Sequence, residues 1–403
     1  MASSKYFKNI FYILAVLLVS CSAGKKNLVS QNVNLTDLKF SVEEAPEWSN
    51  LFKRTNGWYG GDGIFVIPTD GKENVPASDT SKSLILFSDT MFGDTEDGTP
   101  ITAANMLHNT VAILDGDKPD KDKIKFYWDT DSAGHPKTVF IPNTPSTQAG
   151  DYYWLGDGFV NTAKDNTTYI FAYKMKNLDP KNDWSFTVTK TNLISIAAGS
   201  TPPFKNQKQI ETPLRFAGKK GYDNGSFGAG IFANTKDAGV KSPDGYVYVY
   251  GVKDKAKNLI AARVKPEDFE DFSQWKFWDG KSWNTDMLKV SAITDSVSNE
   301  LSVTPLADGR YVLVFQLGGL STIVAMRIGA SPVGPFGPVI KLYNCPENAE
   351  NKNYFPYNAK AHPSISKPGE LLISYNVNAF DYWKEINKNH TLYRPRFIKL
   401  KFE

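Results

Sequence analysis

Three acidic residues occupy similar places in the chain, each near the start of a short strand-like segment. Asp62 and Asp157 each stand between two glycines, and Glu300 directly precedes a segment of alternating polarity. If these carboxyls converge in one confined pocket, their mutual repulsion raises their pKa values. Glycoside hydrolysis uses such a pair, with one carboxyl protonated and the other ionised. The pattern therefore predicts catalysis by all three, although Gly-Asp-Gly is also a turn sequence and Glu300 is also compatible with a solvated edge charge.

Aromatic and polar residues near these acids are candidates to contact a sugar. Trp58, Tyr59 and Trp154 precede the two Gly-Asp-Gly sequences, and aromatic rings can stack on the apolar faces of sugars. Asp89 closes a strand-like segment, and His362 stands at the start of the last one. We expect all five to bind substrate. Core packing is the alternative for the aromatic residues, and a structural hydrogen bond is the alternative for His362.

The sequence contains no recognisable metal or nucleotide site, so we predict no cofactor. Its four histidines, His108, His135, His362 and His390, have no metal-ligand spacing. Oxygen ligands in a central channel would suit calcium, which leaves a bound channel cation as an alternative. A nucleophile elbow, a phosphate-binding loop and a dinucleotide fingerprint are missing. Serine hydrolase, kinase and dehydrogenase activities therefore have no support.

The segments around the candidate residues favour an all-β fold. Runs rich in Val, Ile, Tyr and Phe recur throughout the chain, bounded by Gly, Asn, Asp and Pro, and long amphipathic helices are missing. Four-stranded blades fit their spacing of about 60 to 95 residues, so we predict a five-bladed β-propeller, with a β-sandwich as the alternative. The first strand of each blade would line a central channel and bring the acids together. The runs fall into five sets, which start at Gly61, Gly156, Gly228, Asn299 and Ala361.

The amino terminus has the pattern of a bacterial lipoprotein signal. Lys5 and Lys8 precede an apolar run, Ile10–Val19, that is too short to span a bilayer comfortably. The sequence Leu18–Cys21 resembles a lipobox, in which the cysteine is lipidated and becomes the first residue. The pattern predicts lipidation of Cys21, and an ordinary secretory signal is the alternative.

These features divide the chain into a signal peptide at residues 1–20, a lipidated cysteine and tether at 21–44, and a single β-propeller domain at 45–403. Ser22 replaces the aspartate that retains some lipoproteins at the inner membrane. We therefore predict export and lipid anchoring to the bacterial envelope, with the outer membrane favoured. With Cys21 lipidated, Cys345 has no partner, so the fold must be stable without an internal disulfide.

Charge and motifs narrow the classes of partner. The 403 residues carry a formal net charge of +3 and contain no basic block, so nucleic-acid binding has no electrostatic basis. The Asp-box turns and arginine triad of sialidases are also missing. We expect a monomer that binds carbohydrate. It is either a glycoside hydrolase or a non-catalytic glycan-binding lipoprotein, because fold alone does not decide between the two.

Four segments resemble a family of uncharacterised bacterial lipoprotein domains that is provisionally classed with glycosyl hydrolases. They are Trp58–Gly63, Leu84–Thr90, Asn358–Pro363 and Leu371–Asn378. That family is similar in turn to five-bladed propeller glycosidases of the arabinanase and levansucrase type, and to enzymes that degrade D-arabinan. The resemblance covers roughly residues 45–403 and implies a sugar-cleaving pocket on the propeller axis. The same segments contribute Asn358, Tyr375 and Asn376 as expected substrate contacts.

The resemblance also implies catalytic roles, with one departure. Arabinanase-type enzymes usually take their acid glutamate from about the third blade, where this chain has Ala229. Glu211 and Asp223 lie just upstream and are candidates to replace it, which leaves the identity of the acid open. Carried onto this chain, the roles are base or nucleophile for Asp62, acid or pKa modulator for Asp157, and a later-blade acid for Glu300.

Overall fold

The computed structural model describes residues 33–96, 99–100, 105–179, 181–182, 184–217 and 224–403. Residues Asn34–Glu403 form one compact unit. The signal peptide and Cys21 lie outside the described residues, so the lipid anchor stays a prediction. Across the described ranges, no helix is long and apolar enough to cross a bilayer.

Five antiparallel sheets of at least four strands follow one another along the chain, one at each predicted set of segments. The expectation of a predominantly β chain is thereby confirmed. We call these the first to fifth sheets and number the strands β1–β29 in chain order. The first sheet contains β3 (Phe65–Pro68), β4 (Lys82–Phe87), β9 (Thr110–Asp115) and β10 (Ile124–Tyr127). The second contains β13 (Tyr152–Asn161), β14 (Thr167–Asn177), β15 (Phe186–Ile196) and β16 (Lys208–Glu211).

The third sheet has six strands, and the fourth and fifth have four each. The third contains β17 (Arg215–Phe216), β18 (Gly225–Asn234), β19 (Tyr246–Lys253), β20 (Asn258–Val264), β21 (Lys276–Trp278) and β22 (Trp283–Asn284). The fourth contains β23 (Leu301–Pro305), β24 (Tyr311–Gln316), β25 (Ile323–Gly329) and β26 (Ile340–Asn344). The fifth contains β27 (Tyr354–Ala361), β28 (Glu370–Ala379), β29 (Arg396–Phe402) and β1 (Phe40–Glu44).

The remaining elements are short. Three small sheets pair β2 (Trp58–Gly61) with β5 (Thr90–Phe92) and β8 (Asn105–Leu107), β6 (Thr95–Glu96) with β7 (Thr99–Pro100), and β11 (Asp129–Thr130) with β12 (Pro136–Lys137). The α-helices are α1 (Pro46–Leu51), α2 (Glu347–Glu350) and α3 (Tyr382–Ile386). Single 3-10 turns occupy Pro266–Asp268, Phe272–Gln274, Met287–Lys289 and Pro363–Ile365.

One inner strand from each sheet (β3, β13, β18, β23 and β27) lies beside the inner strand of a neighbouring sheet. β13 contacts both β3 and β18, β18 contacts β23, and β23 contacts β27. Glycine permits the closest approaches. A Cβ on Gly156 would lie 2.6 Å from the carbonyl oxygen of Gly228, and one on Gly230 would lie 2.6 Å from that of Leu301. These strands are thus held together at backbone distance, and side chains at their ends are brought close to one another.

Five hydrophobic clusters fill the spaces between neighbouring sheets. They lie between the first and second, second and third, third and fourth, fourth and fifth, and fifth and first sheets. Strands in the middle of a sheet, such as β24 and β28, are therefore covered on both faces, which explains their nearly continuous apolar sequences. The order of the clusters returns to its starting point, so each sheet packs against two others.

Strand β1 corrects the predicted extent of the tether. The sequence predicts a tether over residues 21–44. In the structure, β1 pairs with β29 from Phe40 opposite Phe402 to Glu44 opposite Ile398. Phe40 and Val42 pack against the cluster between the fourth and fifth sheets. Their alternation with polar residues is typical of an edge strand with one buried face. The folded region therefore includes these residues, and the amino-terminal end of the fold is tied to its last sheet.

Candidate active site

A cavity of about 1080 Å³ is lined by residues on or next to the inner strands. Trp154, Ala229 and Asn358 come from the second, third and fifth sheets, whereas Asp62 and Glu300 lie just before β3 of the first sheet and β23 of the fourth. A cavity of this size is at the upper end of the range for small-molecule sites. The sequence therefore places chemically active side chains in a space large enough for an oligosaccharide.

Irregular backbone interrupts three of the strands beside the cavity. β-bulges interrupt the pairing of β13 between Leu155 and Gly158, of β18 between Phe227 and Gly230, and of β27 between Tyr357 and Lys360. A bulge leaves a residue unpaired and changes the direction of its side chain, and such features are frequent beside active sites. Before the first sheet, β2 ends at Gly61 and β3 begins at Phe65, so Asp62 lies in the connection between these two strands.

Asp62 has one satisfied and one unsatisfied carboxylate oxygen. The Tyr357 hydroxyl donates a hydrogen bond of 2.7 Å to Oδ2, whereas Oδ1 is buried and has no hydrogen-bond partner in the described part of the chain. Burial raises the pKa of Asp62 well above its usual range, and the negative charge of Asp89 raises it further. Asp62 is therefore suited to hold a proton near neutral pH.

Glu300 lies beside Asp62 but has different partners. The Asn358 side-chain amide donates to its Oε1 over 2.7 Å, and the Lys360 ammonium donates to its Oε2. A Cβ on Gly63 would lie 3.4 Å from Oε1, which places this carboxyl against the residue that follows Asp62. Burial raises the pKa of Glu300, while Lys360 opposes that rise and favours the ionised form.

Asp89 is a further acid that lines this cavity. Its Oδ1 lies 3.1 Å from Nδ1 of His108, whose ring stacks on Tyr152 at 3.9 Å between centroids. Both Asp89 and His108 line the cavity. Asp89 therefore combines a fixed position with a negative charge that acts on Asp62, as expected for a substrate contact or an electrostatic neighbour.

Asp157 does not line the large cavity, which corrects its predicted placement. It lines a smaller cavity of about 40 Å³ together with Lys360 and His362. Its two oxygens accept hydrogen bonds from the backbone N–H groups of Ile231 (2.7 Å) and Gly158 (2.8 Å). Burial raises the pKa of Asp157 to about 7. A carboxyl bound on both oxygens and turned to another space is a poor candidate for direct contact with a sugar.

Four other predicted substrate contacts are buried in the core. Trp58 packs on Phe126 with ring centroids 4.5 Å apart, and Tyr59 belongs to the cluster between the fourth and fifth sheets. Tyr375 and Asn376 lie on the central strand β28, where neighbouring strands and clusters enclose them. None of these four lines the large cavity. These four residues therefore belong to the packed interior, which corrects their prediction as substrate contacts.

His362 is a structural histidine in this fold. It is buried, and its Nε2 lies 2.6 Å from the Ser374 hydroxyl. Burial lowers the pKa of His362 well below its usual value, and the nearby Lys360 charge lowers it further. The ring is therefore neutral and satisfied, and it faces the smaller cavity. This corrects its assignment as a sugar-binding residue.

The candidate replacement acid Glu211 is fixed away from the cavity. Its Oε1 accepts hydrogen bonds of 2.8 Å from the Thr144 hydroxyl and the Ser146 backbone N–H. Hydrogen bonding from Ser146 and Thr144 lowers the pKa of Glu211 to about 2, so it stays ionised and cannot act as a general acid. Asp223 lies outside the described residues.

Several residues of the site were missed by the sequence analysis. Tyr357 and Lys360 flank Asn358 in the segment that supports the family resemblance, but neither residue type was a candidate there. A lysine inside an otherwise apolar strand was the available signal, since buried lysines need a partner. Trp184 and Trp383 line the cavity with exposed fractions of 48% and 38%. Exposed tryptophans at a cavity are well suited to stack on sugar rings.

No metal centre is evident in the parts of the chain that the structure describes. They contain no group of three or more His, Cys, Asp or Glu side chains that could hold an ion. The ammonium of Lys360 instead provides the positive charge beside Glu300.

Comparison with solved structures defines the fold class. A protein from Bacteroides ovatus, provisionally named a hydrolase, is 18% identical and covers 92% of this chain and 96% of its own, with a TM-score of 0.67. A protein of unknown function from Dyadobacter fermentans is 12% identical, over 87% and 96% of the two chains, with a TM-score of 0.43. Levansucrase from Gluconacetobacter diazotrophicus is 11% identical, over 86% and 78%, with a TM-score of 0.45. The first of these establishes a shared fold.

The chain belongs to the family described as domain of unknown function DUF5005, whose sequence profile matches residues 46–402. The resemblance to an uncharacterised family is thereby confirmed. A comparison with curated proteins finds no match.

Proposed function

We propose that this protein is a glycoside hydrolase, and that its five sheets are the blades of a propeller with the large cavity on its axis. The cyclic order of the clusters between the sheets supports the propeller. The observation that carries the hydrolase is the meeting of two unlike carboxyls, Asp62 and Glu300, in a cavity lined with tryptophans. Glu300 is paired with the Lys360 ammonium, whereas Asp62 has no such partner among the described residues. Different surroundings of this kind separate the pKa values of two carboxyls, so that one can act as the acid and the other as the base.

The proposed mechanism assigns the two roles from these surroundings. Asp62, with its raised pKa, donates a proton to the oxygen of the leaving sugar. Glu300, whose ionised form Lys360 favours, acts on the opposite face of the sugar, either as the base that activates water or as the nucleophile. These roles are the reverse of those that the family resemblance implies. Asp157 has no direct role in this mechanism, although the charges of Lys360 and Glu300 both act on its carboxyl.

A screen for release of reducing ends tests this proposal. The purified full-length chain is incubated with plant and bacterial polysaccharides beside Asp62→Asn, Glu300→Gln and Glu267→Gln. Glu267 is an exposed acid outside the cavity, so its variant controls for loss of a carboxyl as such. We expect release by the wild type and by Glu267→Gln, and a loss of about 100-fold or more in the other two. Equal release by the wild type and all three variants would contradict the proposal.

Non-catalytic glycan binding is the second candidate, because Trp184 and Trp383 serve binding as well as hydrolysis. It predicts affinity for a glycan without release of product by the folded wild type. Affinity that survives both Asp62→Asn and Glu300→Gln, with no turnover on any glycan, would favour it over hydrolysis.

We also propose that the protein is exported and anchored to the envelope by lipid on Cys21, which extends a prediction made from the sequence alone. Metabolic labelling with a fatty acid, followed by membrane fractionation, tests it. The wild type is expected to carry label and to sediment with membranes, and Cys21→Ser is expected to do neither. Equal labelling of the two proteins would exclude Cys21 as the attachment point.

A further inference from the structure

The third sheet gives the large cavity a cationic side. Arg215, Lys253, Lys255 and Lys257 all line the cavity, and all come from this sheet or from the turn between β19 and β20. Asp254 is the acid among them. The acids Asp62, Asp89 and Glu300 lie in connections next to strands of the first and fourth sheets. The lining is therefore divided into an acidic part that is proposed to react and a cationic part without an assigned role.

Arg215 and Lys257 are partly buried, and neither has an acidic partner in the part of the chain that the structure describes. Burial lowers the pKa of Arg215 and of Lys257, and no carboxylate within the described ranges offsets this effect for either residue. In the described residues, neither forms an ion pair; the Lys257 ammonium donates to the neutral side-chain oxygen of Asn299 over 2.7 Å. Removing a cation from water without a counterion costs free energy. An anion that binds at the wall of the cavity would offset this desolvation free energy.

The position of Lys257 connects this cationic side to the reacting acids. Asn299, which accepts its hydrogen bond, directly precedes Glu300, and both line the cavity. Gly319 lies against the same lysine, since a Cβ there would be 3.7 Å from its Cε. An anionic group held by Lys257 would therefore lie on a sugar close to the bond that is cleaved.

We infer that the ligand of this cavity is an anionic glycan whose carboxylate or sulfate group binds Arg215 and Lys257. The inference rests on the proposed function for the place of the scissile bond. A guanidinium donates two parallel hydrogen bonds to a planar carboxylate or to a sulfate, and an ammonium adds a point charge. Both groups are compact oxyanions on a sugar ring. In polysaccharides they occur as the carboxylates of uronic acids and as sulfate groups.

Matched pairs of oligosaccharides test the inference. One arm compares uronic-acid oligosaccharides with their neutral methyl esters, and the other compares sulfated oligosaccharides with their desulfated forms. Binding to full-length Asp62→Asn is measured at low and high salt, so that turnover does not remove the probe. We expect the charged member of at least one pair to bind about tenfold or more tightly, with the difference reduced by salt. The arm that responds identifies the anion.

Variants of the cationic side provide the control. Arg215→Gln and Lys257→Gln, each added to Asp62→Asn, are expected to remove most of the preference for the charged member. Lys281→Gln, an exposed lysine at the far end of the same sheet, is expected to leave it unchanged. Melting temperatures establish that each variant is folded. If one of Arg215→Gln and Lys257→Gln does not fold, the other still tests the inference. Equal affinity for both members of every pair, or no binding of any charged member, would overturn the inference.

Release of reducing ends from the same pairs separates the two proposals. Charge-dependent binding with no release by the wild type would overturn hydrolysis alone. Release from neutral glycans, with no effect of charge or of Arg215→Gln, would overturn the anionic ligand alone.

Discussion

At the scale of single residues, Asp62 shows how burial prepares a carboxyl for proton transfer. Its folded pKa lies above the unfolded value of about 3.9, so the folded chain binds more protons between those two values. Stability therefore falls as the pH rises through this window, and the whole loss is present above the folded pKa. A carboxyl retained at such a cost is typical of functional sites.

This reasoning makes a prediction for Asp62→Asn. The amide cannot ionise, so the variant is expected to melt at or above the wild-type temperature at about pH 9, with a smaller advantage at about pH 5. Differential scanning fluorimetry at the two pH values measures the difference, and Glu267→Gln is the control. An advantage that shrinks as the pH rises would contradict a raised pKa for Asp62.

Burial favours the protonated form of Asp62, whereas the charge of Lys360 favours the ionised form of Glu300. We expect Lys360→Met to raise the pKa of Glu300, so that the acidic limb of the kcat/KM profile moves to higher pH. Removing one partner of a buried pair also costs about 3 to 5 kcal/mol of stability. Lys360→Arg keeps the charge and is expected to move the limb less. A limb at the wild-type pH in a folded Lys360→Met would show that Glu300 does not need this lysine.

At the scale of elements, the bulge in β27 positions the partners of Glu300. Asn358 has a φ of +59°, in the left-handed region that side chains other than Asn and Gly rarely adopt. Its amide also donates to Glu300. Backbone conformation and side-chain chemistry therefore both select asparagine at this position.

Two substitutions separate these contributions. Asn358→Gly tolerates the backbone but loses the amide, whereas Asn358→Ala loses both. We expect the alanine variant to be less stable than the glycine variant by about 1 to 2 kcal/mol, and both to lose activity. Urea unfolding and kcat/KM on the same preparations measure the two effects. Equal stability of the two variants would argue against a constrained backbone here.

Strand β1 gives a second prediction at this scale. Val42 packs against the cluster between the fourth and fifth sheets, whereas Ser41 is exposed on the same strand. Val42→Asp is expected to lower the free energy of unfolding by about 2 kcal/mol. Ser41→Asp is expected to change it by no more than about 0.5 kcal/mol. Similar effects of the two substitutions would mean that this strand does not contribute to the core.

At the scale of the whole molecule, the sequence predicted the class and order of the sheets because they depend on local patterns. Apolar runs bounded by turn residues repeat five times, and each repeat corresponds to one sheet. The recurrence of acids at strand starts placed Asp62 and Glu300 on the cavity, although it did not distinguish Asp157. That residue occupies a bulge, and a bulge reverses which side of a strand a residue faces.

The remaining differences depend on packing between distant segments. Trp58 and Trp154 stand at similar distances before Gly-Asp-Gly, yet Trp58 is buried against Phe126 and Trp154 lines the cavity. The pairing of Lys360 with Glu300 joins residues from the fourth and fifth sheets. The cationic side formed by Arg215 and Lys257 likewise requires the folded chain. Composition and periodicity do not indicate which distant residues come into contact.

The most direct test of the central claim is chemical rescue of Glu300→Ala on a glycan that the wild type cleaves. Removing the carboxylate is expected to lower turnover about 100-fold or more, and azide is expected to restore part of it by occupying the vacated space as a nucleophile. Rescue by azide, with Asp62→Asn inactive under the same conditions, would support the assigned pair. Turnover of Glu300→Ala at the wild-type rate without azide would contradict the account.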